Sequence, residues 1–179
     1  MWGIFIFMIV KEQIGKTYYY KNFISLEEQQ NIREWALRNE SYFIPNPKGP
    51  FRARALFTEI PETLDILSDI KSRLINSENL SEIATESVRG DFISIQRDRA
   101  KVQEHMDMSP PGSSYYIRRY NIFISLPEKG GLPIYGGEVL NIDERSMLKV
   151  DAGLISHSTT QIEGKIPRIL LSYGFNILK

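Results

Sequence analysis

The chain has 179 residues, 42% of them hydrophobic, which suits one domain with a core that needs no covalent staples. Lys plus Arg and Asp plus Glu both number 22, so the formal net charge is zero and composition makes no case for a polyanion partner, although a local patch remains open. There is no cysteine, which excludes disulfides and thiolate-held metals and is compatible with a reducing compartment.

The opening MWGIFIFMIV is apolar but far shorter than the about 20 residues of a membrane span. It has no basic n-region and no small-residue cleavage site after it, so it reads as a buried β-strand rather than a signal peptide, with Met8 as an alternative start. The expectation is a cytoplasmic chain without a membrane partner. YYYKNFISLEEQQNIREWALRNE reads as a strand and then a helix. Ser25 can cap that helix, Glu28 stands three later as a capping box requires, and Leu26, Ile32, Trp35 and Ala36 form an apolar stripe. IPNPKGPFR is a loop, and ARALFTEI is a strand leading to a second helix, PETLDILSDIKSRLIN. Pro61 falls in that helix's first turn, and Leu64, Leu67, Ile70 and Leu74 line one face.

From residue 88 the segments become short, β-branched and aromatic. Strands are expected near 91–97, 101–107, 115–126, 138–142, 146–150, 153–159 and 167–177. The clusters SPPGSS, PEKGGLP, YGGE, IDER and IEGK between them are turns. Short connections imply antiparallel pairing. With the N-terminal strands added, the natural architecture is mainly β, a double-sheet jelly roll with two flanking helices. The expected organisation is a single domain over 1–179, with strands and supporting helices in 1–87 and the β core in 88–178.

Chemistry concentrates in VQEHMDMSPP. His105 and Asp107 are two apart, so on a strand both side chains point into one cavity. His157, the other of only two histidines, can close the set if its strand runs alongside. Two imidazoles and a carboxylate on one side of a cation leave coordination positions open, which favours non-haem Fe(II) chemistry with zinc as the main competitor. Arg168 follows His157 by one turn, on the expected antiparallel neighbour, inside the apolar PRILLSYGF. A guanidinium there is costly to bury unless it meets an anion, and it grips a carboxylate bidentately.

The pattern His105-x-Asp107, His157, Arg168 resembles the Fe(II)/2-oxoglutarate-dependent oxygenase superfamily, over roughly residues 88 to 178. NFISLEEQQNIREWA is also similar to the strand–helix entry of hydroxylases in that superfamily. The resemblance implies a distorted double-stranded β-helix, a jelly-roll variant with cupin-like topology. It implies Fe(II) on His105, Asp107 and His157, and 2-oxoglutarate salt-bridged to Arg168 through its distal carboxylate. It further implies O2-dependent hydroxylation of a C–H bond, with succinate and CO2 as coproducts. The substrate would be an amino acid, a peptide side chain or another small metabolite, with a nucleic acid disfavoured by the neutral charge.

Some members of the superfamily carry Ser two positions after the arginine. Here that position is Leu170, and Ser172 is the next polar inward candidate. On YYIRRYNIFISL, Arg119, Asn121, Phe123 and Ser125 share one face, and Tyr116, Arg118 and Tyr120 share the other. Arg119 and Asn121 resemble the position that presents polar groups to the cosubstrate in aspartyl/asparaginyl hydroxylase-like members. The blander reading has one of Arg118 and Arg119 inward and its neighbour solvated.

Tyr135, between two Gly-Gly pairs, reads first as part of a tight hairpin and second as a substrate-facing residue at the cavity mouth. Arg52 and Arg54 read first as solvated surface and second as contacts for an acidic substrate group. Two other functions use the same fold: a cupin-like Zn or Mn isomerase or hydrolase, which leaves Arg168 without a role, and a non-catalytic jelly-roll binding module in which both histidines are merely packed.

Overall fold

The computed structural model describes residues 9–47, 49, 51–60 and 65–179. Residues 1–8, Pro61 and Leu64 lie outside this set, and with them most of the apolar opening and the first turn expected for the second helix. In chain order the elements are β1 (Val10–Ile14), β2 (Thr17–Lys21), α1 (Leu26–Arg38), β3 (Ile44–Pro45), β4 (Arg52–Leu56), α2 (Asp65–Glu78) and β5 (Phe92–Gln96). There follow β6 (Tyr115–Ser125), β7 (Pro133–Tyr135), β8 (Glu138–Val139), β9 (Met147–Val150), β10 (His157–Thr159) and β11 (Arg168–Leu178).

Eight strands form one antiparallel sheet in the order β1-β2-β9-β6-β11-β5-β4-β3, and three form a smaller sheet, β10-β7-β8. With the two helices on one face of the large sheet, this is the double-stranded β-helix that the alternating patterns predict. The period-2 alternation of β11 divides its environments. Ile169, Leu171, Tyr173 and Phe175 enter the core shared with α1 and α2, while Arg168, Leu170 and Ser172 face a cavity on the other side. Among the described residues no helix is long and apolar enough to cross a membrane.

The helices seat as their stripes dictate, with one exception. The capping box is present: the Glu28 backbone N–H donates to Ser25 Oγ at 3.1 Å, and the Ser25 N–H donates to Glu28 Oε2 at 2.6 Å. Ile32, Trp35 and Ala36 are buried, but Leu26 is 57% exposed. The buried row is completed by Gln29, whose amide donates to the Ile124 carbonyl of β6 and to Glu144. A polar residue is tolerated there because its donor is satisfied. In α2, Leu67, Ile70 and Leu74 are buried as expected, and full burial stabilises by roughly 1.5–3 kcal/mol per side chain.

The expected strands at 138–142 and 153–159 are shorter, 138–139 and 157–159. Residues 101–107 form no strand; their one β-bridge to β10 is His105–His157, with hydrogen bonds between Val102 and Thr159 beside it. β7 was hidden in the glycine-rich stretch read as turns. It pairs with β8 across Gly136 and Gly137, which have φ of 58° and 88°. Two consecutive positive φ values make the type I′ turn that suits a tight hairpin.

On the helix side of the sheet, Glu78 ends α2 with its side chain 4% exposed. It accepts from the hydroxyls of Tyr20 and Tyr120 and pairs with Lys149 at 2.9 Å and Lys11 at 3.2 Å. Burial alone would raise this carboxyl, but the Tyr20 and lysine contacts outweigh it and hold the pKa at about 2. A depressed carboxylate stabilises fully above its unfolded value and loses that contribution as pH falls through its folded value. Urea unfolding followed between pH 5 and about 2 should therefore show a loss of roughly 3 kcal/mol from this group. Glu78→Gln should flatten that part of the profile.

Candidate metal centre and cavity

The site begins with backbone pairing. The His105 N–H donates to the His157 carbonyl at 3.1 Å, and the His157 N–H donates back to the His105 carbonyl at 2.9 Å. Two further ties fix the segment: the Asp107 N–H to the Ala152 carbonyl at 2.7 Å, and the Thr159 N–H to the Val102 carbonyl at 3.1 Å. Directly opposed residues put side chains on the same face. The two imidazoles accordingly stand with centroids 4.3 Å apart, and Asp107 Oδ1 lies 3.5 Å from His105 Nε2. One donor atom from each of His105, Asp107 and His157 falls within 4.8 Å of the others. That is close enough for one cation held at about 2.1 Å from each donor to draw them together.

The surroundings prepare these groups. His105 Nδ1 lies 2.8 Å from the Gln103 carbonyl. That contact orients the ring with Nε2 turned towards Asp107, which makes Nε2 the atom offered to a metal. The hydrogen bond to Asp107 raises the His105 pKa, whereas burial lowers that of His157. Burial would raise the Asp107 carboxyl, but His105, Arg89, His157 and Arg119 outweigh it and keep the carboxyl below its ordinary value. The donor set therefore fits a divalent metal: neutral imidazole is available, the carboxylate is ionised, and soft ligands are absent.

The triad opens into a cavity of about 560 Å³ between the two sheets. Its wall follows the strand registers. Arg52 of β4 is opposite Gln96 of β5, which is opposite Arg168 of β11. In the next row come Arg54, Ser94 and Leu170, then Phe92, Ser172 and Asn121, then Arg119 and Val150. All of the singled-out residues line this one space: His105, Asp107, His157, Arg168, Asn121, Arg119, Ser172, Tyr135, Arg52 and Arg54.

Arg168 is 3% exposed and makes no ion pair among the described residues. Its guanidinium stands over the Phe123 ring at 5.3 Å, and its Nε has no hydrogen-bond partner among the described residues. Burial, with the like charge of Arg52 adding, pushes its pKa down to about 9. Gly131, with a φ of 66°, lies so close that a Cβ there would sit 3.1 Å from Arg168 Cδ. The loop thus covers the aliphatic stem.

Arg119 is the inward member of its pair. It bonds to Glu86 and to the Gly90 carbonyl, and its Nε is 3.6 Å from Asp107 Oδ2. Arg118 is half-buried and bonded to Asp151 and the Tyr116 hydroxyl, so it is not the solvated residue of the blander reading. Tyr135 is opposite His157 in register, and its hydroxyl accepts from the Asp151 N–H at 2.9 Å. Arg52 is half-buried and Arg54 exposed, and both edge the cavity rather than facing only bulk solvent.

Sequence reasoning missed Glu86, Arg89, Ser94 and Gln96. The strand FISIQ carries a signal for the last two, because a polar residue at every second position marks a lined cavity. Glu86 and Arg89 fall in the loop before β5, where no periodicity exists to read. Glu86 is 1% exposed and also accepts from the backbone N–H groups of Val88 and Arg89.

No protein-family profile and no curated protein matches the sequence. Solved structures do match the fold. HygX from Streptomyces hygroscopicus, determined with nickel, 2-oxoglutarate and hygromycin B bound, superposes with a TM-score of 0.68 at 10% identity, over 90% of this chain and 82% of that one. The viral collagen prolyl hydroxylase of Paramecium Bursaria Chlorella virus-1, in a 2-oxoglutarate complex, gives 0.67 at 10% identity over 92% and 97%. SnoN, a non-haem α-ketoglutarate-dependent epimerase from nogalamycin biosynthesis, gives 0.67 at 9% identity over 90% and 76%.

Removing one partner of a buried ion pair costs about 3–5 kcal/mol. Arg119→Met and Glu86→Gln should each lower stability in chemical denaturation, and the double variant should lose less than their sum. The fold of this chain is that of the Fe(II)/2-oxoglutarate-dependent oxygenases.

Proposed function

We propose that this chain is an Fe(II)- and 2-oxoglutarate-dependent dioxygenase that hydroxylates a C–H bond of an amino acid, peptide side chain or other small metabolite. The observation that carries this reading is a coincidence within one cavity. A His105–Asp107–His157 cluster can hold a metal, and a fully buried arginine with no ion pair among the described residues faces the same space. The fold of HygX and the viral prolyl hydroxylase supports it.

His105, Asp107 and His157 would hold the iron. Arg168 would take the distal carboxylate of 2-oxoglutarate, with Ser172, Asn121 and Arg119 as polar wall nearby. When bound, the iron and the oxoacid together supply O2-dependent oxidation, with succinate and CO2 as coproducts. The protein's part is orientation and exclusion of water. Arg119, held from behind by Glu86 and Gly90, fixes the Asp107 carboxylate. The Gln103 carbonyl fixes the His105 ring. The loop at Gly131 packs against the stem of Arg168. Tyr135 would stand in the substrate-facing wall beside His157. A Zn or Mn isomerase gives Arg168 no task, and a binding module gives the convergent donors none.

Mixing the protein with Fe(II) and 2-oxoglutarate without oxygen should produce a weak visible charge-transfer band that disappears when air is admitted. Asp107→Ala should lose stoichiometric metal in equilibrium dialysis. Arg168→Ala should keep metal but weaken 2-oxoglutarate binding by about 2–5 kcal/mol, the range for truncating one partner of a buried charge pair. Normal cosubstrate affinity in Arg168→Ala would remove the role given to that residue.

A further inference from the structure

The cavity holds more positive charge than this reading uses. Arg52, Arg54, Arg89, Arg119 and Arg168 all line it, whereas Asp107 is its single acidic residue among those described. Glu86 neutralises Arg119 from behind. A divalent cation, a dicarboxylate, Asp107 and Arg168 cancel one another. Arg89 leans on Asp107 at 3.6 Å. Arg52 and Arg54 are left with no ion pair among the described residues.

These two arginines are placed for a ligand. They are separated by one residue on β4, so their side chains leave the same face. Arg54 is the exposed member, its guanidinium 5.8 Å from the Phe92 ring centre, and Arg52 runs deeper. Among the described residues, Arg52 Nε is buried without a hydrogen-bond partner, and so are Ser94 Oγ and Gln96 Oε1 on the adjoining strand. Unsatisfied polar atoms are costly in a folded protein, and here they gather in one wall that opens to solvent.

Arg52 and Arg168 are separated by β5, a spacing of about 10 Å across two strand intervals. Their side chains still bring the two charges within reach of each other, since Arg52 helps to lower the Arg168 pKa, and the 2-oxoglutarate affinity of Arg52 and Arg54 variants separates the two sites. Burial and the neighbouring charge of Arg54 also lower the Arg52 pKa, a repulsion that an anion between them would relieve.

We propose that Arg52 and Arg54 form an anion subsite at the cavity mouth, which selects small substrates carrying a carboxylate or phosphate group. The assignment of that anion to the substrate rests on the oxygenase reading; the subsite itself does not. Two guanidinium forks at one spot suit the oxygen geometry of either anion.

Phenylacetate and phenyl phosphate are suitable probes, because they share a ring and differ in the anion. Titrated calorimetrically into nickel- and 2-oxoglutarate-loaded protein, at least one should bind, and the tighter of the two identifies the chemistry. Arg52→Gln/Arg54→Gln should weaken that probe about tenfold or more, the loss expected of a charge-assisted bidentate contact. The same variant should hold 2-oxoglutarate as wild type does. Arg52→Lys/Arg54→Lys keeps the charge without the fork and guards against misfolding; it should bind the probe more weakly than wild type and still hold 2-oxoglutarate. The proposal is overturned if neither probe binds wild type or if neither double variant weakens binding. It is equally overturned if the variants lose 2-oxoglutarate as Arg168→Ala does, since the pair would then belong to the cosubstrate pocket. If wild type fails to bind 2-oxoglutarate, the oxygenase reading falls, and titration of the unloaded protein still decides the subsite.

Discussion

The reciprocal pair of backbone hydrogen bonds between His105 and His157 is the constraint on which the site depends. The two residues are fifty-two positions apart, and the segment carrying His105 has no ladder of its own to hold it. Four backbone contacts to the stretch around β10 replace that ladder. They cost little rigidity because the partner strand is anchored to β7. An irregular segment tied to a rigid one can place two side chains on a common face while leaving the space above them free, which a continuous sheet edge would not.

The large sheet separates two kinds of chemistry. Its helix side is a dry core in which Ile32, Ile70, Leu74 and Tyr173 meet, with Glu78 and its tyrosine and lysine partners at one end. Its other side carries guanidinium and hydroxyl groups in rows set by strand register. A single period-2 sequence such as β11 serves both, because neighbouring residues never share an environment. The stability of the fold and the polarity of the cavity are therefore encoded in alternate letters of the same strands.

Much of this was legible in the sequence. His105, Asp107 and His157 could be singled out because the chain holds only two histidines, and Arg168 because a charge interrupts an apolar strand. The inward row of β6 followed from alternation alone. What was not legible has physical causes. Leu26 lies outside the core while Gln29 lies inside it, its amide satisfied on β6 and Glu144, a match no hydrophobic stripe announces. The 101–107 segment has strand-like composition but finds only one bridging partner. Arg52 and Arg54 look like ordinary surface charges until the pairing of β4 with β5 carries them to the cavity.

The glycine at 131 has a consequence for how such a pocket can change. A side chain at this position would crowd the Arg168 stem, Pro127 and Ile162 at once and would also need a positive φ. Bulk added to the loop would therefore be felt first by the arginine, from a stretch of chain nearly forty residues away.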